Sequence, residues 1–74
     1  MKNFSTMKPR DVEAYLREQV LKTFGDEVEN KTIIQSSHGY YSVGIRIDTK
    51  RYLSFTNFRK TDAPKIVKSM RALK

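Results

Sequence analysis

The chain has 74 residues, a formal net charge of +7 and no cysteine. That bounds it to one small domain with a core of about ten to fifteen side chains and excludes disulfides, thiolate chemistry and cysteine-based metal centres. One histidine and three glycines supply neither a metal-ligand spacing nor a glycine-rich phosphate loop, so no cofactor and no metal enzyme is expected. The N-terminal residues lack an apolar run long enough for a signal peptide. No segment approaches the roughly 18 to 20 apolar residues of a membrane span, so a cytoplasmic protein without membrane association is expected.

The expected organisation is a single domain over 1–74, with 1–7 as a flexible tail. Pro9 suits the first turn of a helix, and Val12, Leu16, Val20 and Phe24 recur every fourth residue up to a stop at Gly25. Tyr15 and Leu21 widen this apolar stripe, while Arg10, Glu13, Arg17, Glu18 and Lys22 form a solvated face of mixed sign. Asp26-Glu27-Val28-Glu29-Asn30 reads as a short acidic connection.

From Lys31 the period changes to two. Thr32-Ile33-Ile34-Gln35-Ser36 is β-prone, and Ser37-His38-Gly39 is a turn into Tyr40. Tyr41, Val43, Ile45 and Ile47 line one side of a second strand, with Leu53 and Phe55 on one side of a third. A three-residue loop, Thr49 to Arg51, would pair Ile47 with Leu53 and Ile45 with Phe55, keeping core residue against core residue. Alternating with this set are Tyr40, Ser42, Gly44, Arg46 and Asp48, then Tyr52, Ser54, Thr56 and Phe58. This second face can stack bases or sugars on its aromatic rings, or can simply reflect the strand preference of Tyr and Thr, with Phe58 folded back against the last helix.

Thr61 is the expected N-cap of a last helix that tolerates Asp62 and Pro64 in its first turn. Its apolar stripe is Ala63, Ile66, Val67, Met70 and Leu73. The order α-β-β-β-α implies an α+β fold, a three-stranded antiparallel sheet with two helices packed on one face and the other face open.

Charge is divided unevenly. Residues 1–30 carry five basic and six acidic side chains, residues 31–74 ten basic and two acidic. That is the footprint of a phosphate-rich partner, RNA or DNA, or of an acidic protein surface. Arg59, Lys60, Lys65 and Lys68 would surround the N-terminus of the last helix, a place suited to phosphate. Lys50 and Arg51 at the hairpin tip, with Lys31 before the first strand, form a second region, and Arg46, Tyr40 and Tyr52 lie on the sheet face between. The expected function is therefore a non-enzymatic nucleic-acid-binding module. The alternative is a phage or mobile-element protein that binds and inhibits an acidic host protein, because a surface complementary to phosphate also fits carboxylates.

Two resemblances follow from these residues. The order α-β-β-β-α with basic residues at the start of the last helix resembles the double-stranded RNA-binding domain. That implies duplex RNA contacts by Arg59, Lys60, Lys65 and Lys68 and by the loop Ser37-His38-Gly39. The turn Gln35-Ser36-Ser37-His38-Gly39-Tyr40 resembles that of HicA-like toxins, small basic proteins that cleave mRNA with a turn histidine. That implies His38 as a metal-free general base on a 2′-hydroxyl.

Overall fold

The computed structural model describes residues 4–73. Helix α1 spans Pro9–Phe24, with the Asp11 carboxylate accepting from the Lys8 backbone N–H at 3.3 Å. That supplies one of the orphan donors of a helix start with an acceptor. Val12, Leu16 and Val20 are fully buried, so the four-residue repeat is the packed stripe. Leu21 is exposed instead of widening it, and Gln19 and Thr23 take the buried flank.

The acidic segment is not a loop. Asp26–Asn30 forms a short helix, α2. Val28 reaches the core, and Arg17 holds Glu29 through both its carbonyl (3.4 Å) and its carboxylate (3.5 Å). The buried Thr32 hydroxyl donates to the Val28 carbonyl at 2.8 Å, which also accepts from the Lys31 backbone N–H at 3.1 Å, so the end of α2 is closed by two donors on one oxygen.

Strands β1 (Ile33–Ser37), β2 (Tyr40–Arg46) and β3 (Tyr52–Arg59) form one antiparallel sheet in the order β1-β2-β3. His38 (φ 52) and Gly39 (φ 83) make the two-residue turn between β1 and β2, and two positive φ values are what a type I′ hairpin requires. The β2–β3 loop begins one residue earlier than expected, pairing Ile45 with Leu53 and Val43 with Phe55. The cause is Asp48, whose carboxylate accepts from the backbone of Lys50 (2.9 Å) and Arg51 (2.8 Å) and from Arg51 Nε (2.9 Å). This Asx-type closure leaves Ile47 N–H donating to the Arg51 carbonyl at 3.0 Å. Core residue still meets core residue, because the pairing has moved by two.

A β-bulge corrects a second expectation. Between the pairs Val43–Phe55 and Tyr41–Phe58, Ser42 is opposed by both Thr56 and Asn57, and Asn57 adopts φ 55. The extra residue reverses the alternation. Phe58, which alternation alone puts on the open face, is 7% exposed and stacks on Tyr41 with centroids 6.1 Å apart.

The chain leaves β3 through a 3-10 turn, Lys60–Asp62, into helix α3, Ala63–Ala72. Thr61 is not the N-cap: no side chain caps this helix, and the 3-10 turn instead offers the Lys60 carbonyl to the Ala63 N–H. Ala63, Val67 and Met70 are buried, while Leu73 lies past the helix end and is exposed. Arg71 donates to Gln19 Oε1 at 2.6 Å, tying α3 to α1.

The core lies between the helices and one face of the sheet, with Leu16, Ile45 and Met70 fully buried; each contributes about 1.5–3 kcal/mol. The expected tail is packed from Phe4 onward. Phe4–Thr6 forms a 3-10 turn, the Phe4 ring meets Tyr15 edge-on at 5.0 Å, and Met7 packs against the core. Residues 1–3 of that expected tail lie outside the described residues.

Candidate nucleic-acid interface

The face of the sheet turned away from the helices carries, on β2, Tyr40, Ser42, Gly44 and Arg46, and on β3, Tyr52, Ser54, Thr56 and, after the bulge, Arg59. Direct cross-strand neighbours on this face interact. Arg46 stands opposite Tyr52 with its guanidinium 5.4 Å from the ring centre. Tyr40 stands opposite Arg59, whose guanidinium is 5.5 Å from that ring and donates to its hydroxyl oxygen at 3.3 Å. That hydroxyl is the main cause holding Arg59 still more firmly protonated than an ordinary guanidinium.

Two arginine–tyrosine pairs with strand roles exchanged thus mark the two ends of one face. Six steps along β2, from Tyr40 to Arg46, separate them, about 20 Å at ~3.3 Å per residue. Between them β2 and β3 present small residues, and a shallow trough of about 320 Å³ runs over Ser42, Gly44, Ser54 and Thr56 and, on β1, over Gln35 and the exposed Ile33. Tyr52 is 54% and Tyr40 42% exposed.

The register sorts the expected site residues by end. Lys31 precedes β1, and Ile33 pairs with Gly44, so Lys31, Arg46, Tyr52 and the tip residues Lys50 and Arg51 share one end. At this end Arg51 is ion-paired with Asp48 at 2.9 Å. At the other end His38, Gly39, Tyr40, Arg59, Lys60 and Thr61 line an open groove of about 450 Å³. Ser37 Oγ lies 2.9 Å from His38 Nδ1 there.

The four cations expected around the last helix have different individual contacts. Arg59 is turned onto the sheet face by its pairing with Tyr40. Lys60 donates to the Met7 carbonyl at 3.3 Å and holds the N-terminal segment. Lys65 and Lys68 are exposed on α3. The residues missed from sequence are Ile33 and Gln35, which β1 contributes to the open face, and Thr61 in the end groove; the alternation of Ile33 and Gln35 with Ile34 was the available signal for the first two.

Among the described residues no group of three histidines or carboxylates could hold a metal ion, and no helix is long and apolar enough to cross a membrane. No protein family, curated protein or solved structure matches the chain, so the resemblances to the double-stranded RNA-binding domain and to HicA-like toxins rest on element order and on one turn.

Proposed function

We propose that this protein is a non-enzymatic nucleic-acid-binding module that contacts phosphates with the cations of its second half. One observation carries the reading. Between Lys31 and Arg71 there are nine lysines and arginines, and among the described residues only Arg51 is ion-paired with a carboxylate. In the first half, by contrast, Arg17 and Lys22 both have acidic partners. Cations held on one small domain without counter-charges repel one another, and a polyanion that displaces its own counterions onto them relieves this.

The test is fluorescence anisotropy of labelled duplex RNA, duplex DNA and single-stranded DNA across a salt series. Micromolar or tighter binding with a log–log salt slope of about −3 to −6 is expected for several phosphate contacts. The double variant Lys65→Glu, Lys68→Glu should weaken every strand type and flatten the slope. Absence of binding at low salt would remove the reading.

A second reading is favoured by the end groove, which puts His38 beside Arg59 and Lys60. It is metal-free RNA cleavage with His38 as base and the two cations facing the phosphate. Because His38 has φ 52, His38→Asn is the suitable probe, since Asn accepts left-handed backbone better than Ala. Loss of RNA cleavage in a folded His38→Asn variant would support this reading; no cleavage by the parent protein would end it.

A further inference from the structure

We infer that the open face of the sheet takes single-stranded nucleic acid, with bases stacked on Tyr40 and Tyr52 and the backbone held by Arg46 and Arg59. The inference rests on the nucleic-acid reading above and adds the strand type and the surface.

Three features of the face select this occupant. The first is charge: it presents Arg46 and Arg59, and the residues between them bear no carboxylate. Neither guanidinium is in an ion pair among the described residues; each rests against a ring instead. Asp62 acts on Arg59 through its charge without forming an ion pair with it, so an anion can approach both arginines without breaking one.

The second is aromatic presentation. Tyr40 and Tyr52 are the large aromatic side chains left exposed, whereas Tyr41 and Phe58 are buried in the core. A duplex keeps its base faces stacked inside and offers a protein phosphates, sugars and groove edges, so exposed rings gain little from it. A single strand offers base faces, and these stack on tyrosine or on an arginine plane already laid over a tyrosine.

The third is relief. Gly44 leaves room for the Tyr52 ring to lie down over the sheet, since a Cβ there would collide with the tyrosine hydroxyl. With Ser42, Ser54 and Thr56 the floor stays low between two taller ends. A convex duplex meets such a face at its rims only, while a flexible strand can follow the trough from one arginine–tyrosine pair to the other.

The decisive experiment is anisotropy with labelled oligothymidine and oligouridine of about 12 nucleotides, a length within the range of ~4–16 seen for sheet-based single-strand sites. Duplexes of equal length serve as the comparison. Parent protein, Tyr40→Ala, Tyr52→Ala, Tyr52→Phe and the Lys65→Glu, Lys68→Glu pair are compared, with a urea midpoint for each to establish folding. The single strands should bind more tightly than the duplexes. Each alanine variant should weaken them by roughly five-fold to a hundred-fold with the salt slope unchanged, and Tyr52→Phe, which keeps the ring, should bind like the parent. Similar dependence on the tyrosines with either oligomer supports the inference. Duplex affinity equal to or above that of single strands, or folded alanine variants that bind like the parent, would overturn the inference while leaving the nucleic-acid function standing. No binding of any strand type would remove both and direct the search to an acidic protein.

Discussion

The Tyr52 side chain lies across Gly44: a Cβ added to the glycine would collide with the tyrosine hydroxyl and come within 3.3 Å of Cζ. The colliding atom is the far end of a side chain that is 54% exposed, so it can swing aside about χ1 rather than disturb the backbone. Gly44→Ala should therefore change stability by less than about 1 kcal/mol, since alanine also limits the unfolded chain. It should nevertheless push the ring off the sheet and lower oligothymidine affinity toward that of Tyr52→Ala. A urea titration and a binding isotherm on the same sample check both parts; an unfolded variant, or one with parent affinity, would contradict the geometry.

Much of this fold was legible because period carries it. Val12, Leu16 and Val20 mark α1, Tyr41, Val43 and Ile45 mark β2, and the turn at His38-Gly39 needs only one glycine to be recognised. What escaped has one physical character: single side chains overriding pattern. Asp48 closes the second hairpin one residue early through three hydrogen bonds, and nothing in hydrophobic alternation reports that. Asn57 inserts a bulge that turns Phe58 inward and Arg59 outward; an asparagine between Thr56 and Phe58 is a weak cue for left-handed backbone. Val28 in the core, Arg17 on Glu29 and the Thr32 hydroxyl on the Val28 carbonyl together hold an acidic pentapeptide as a helix. For the candidate interface, the two tyrosines and their arginines were visible as types. Their cross-strand pairing was not, because it depends on the register and the bulge together.

Asn57 is the point at which the bulge can be tested. Its φ of 55 is tolerated by asparagine and free for glycine, but a β-branched residue there crowds its own backbone. Asn57→Val should cost about 1–2 kcal/mol, whereas Asn57→Gly should stay within about 0.5–1 kcal/mol of the parent. Urea midpoints at constant m-value measure the difference. Equal stabilities of the two variants would mean that the strand runs through without a bulge.

Phe4 tests whether the N-terminal segment is part of the domain. Its ring meets Tyr15 edge-on at 5.0 Å with planes 74° apart, and Met7 beside it receives a hydrogen bond from Lys60. An aromatic pair of this geometry contributes about 0.5–1.5 kcal/mol beyond its area, so Phe4→Ala should destabilise the protein by about 1–2 kcal/mol once lost partial burial is added. Amide exchange at Met7 should accelerate in the same variant. A change in neither quantity would return residues 4–7 to the status of a tail.

Asp48 couples stability to charge. Its carboxyl is held below the ordinary carboxylate value, first by the Lys50 backbone N–H and then by the Arg51 side chain. A depressed folded pKa stabilises the protein above the unfolded value of 3.8, and the contribution disappears as pH falls through the folded value. The Asp48 contribution should hence be complete above about pH 5 and decline below about pH 4, with Asp48→Asn reducing the acid decline. On the alkaline side, burial and then the Glu13 charge raise the Tyr41 pKa above 10.0; its contribution is complete below that value and is lost as pH rises beyond it. The same Asp48→Asn change removes the one carboxylate paired with a cation of the basic half and frees Arg51 at the hairpin tip. It should consequently tighten nucleic-acid binding and steepen the log–log salt slope by about 1, one additional phosphate contact. Weaker binding, or an unchanged slope, would show that the tip stands outside the interface, leaving Arg46 as the arginine that acts at that end of the sheet.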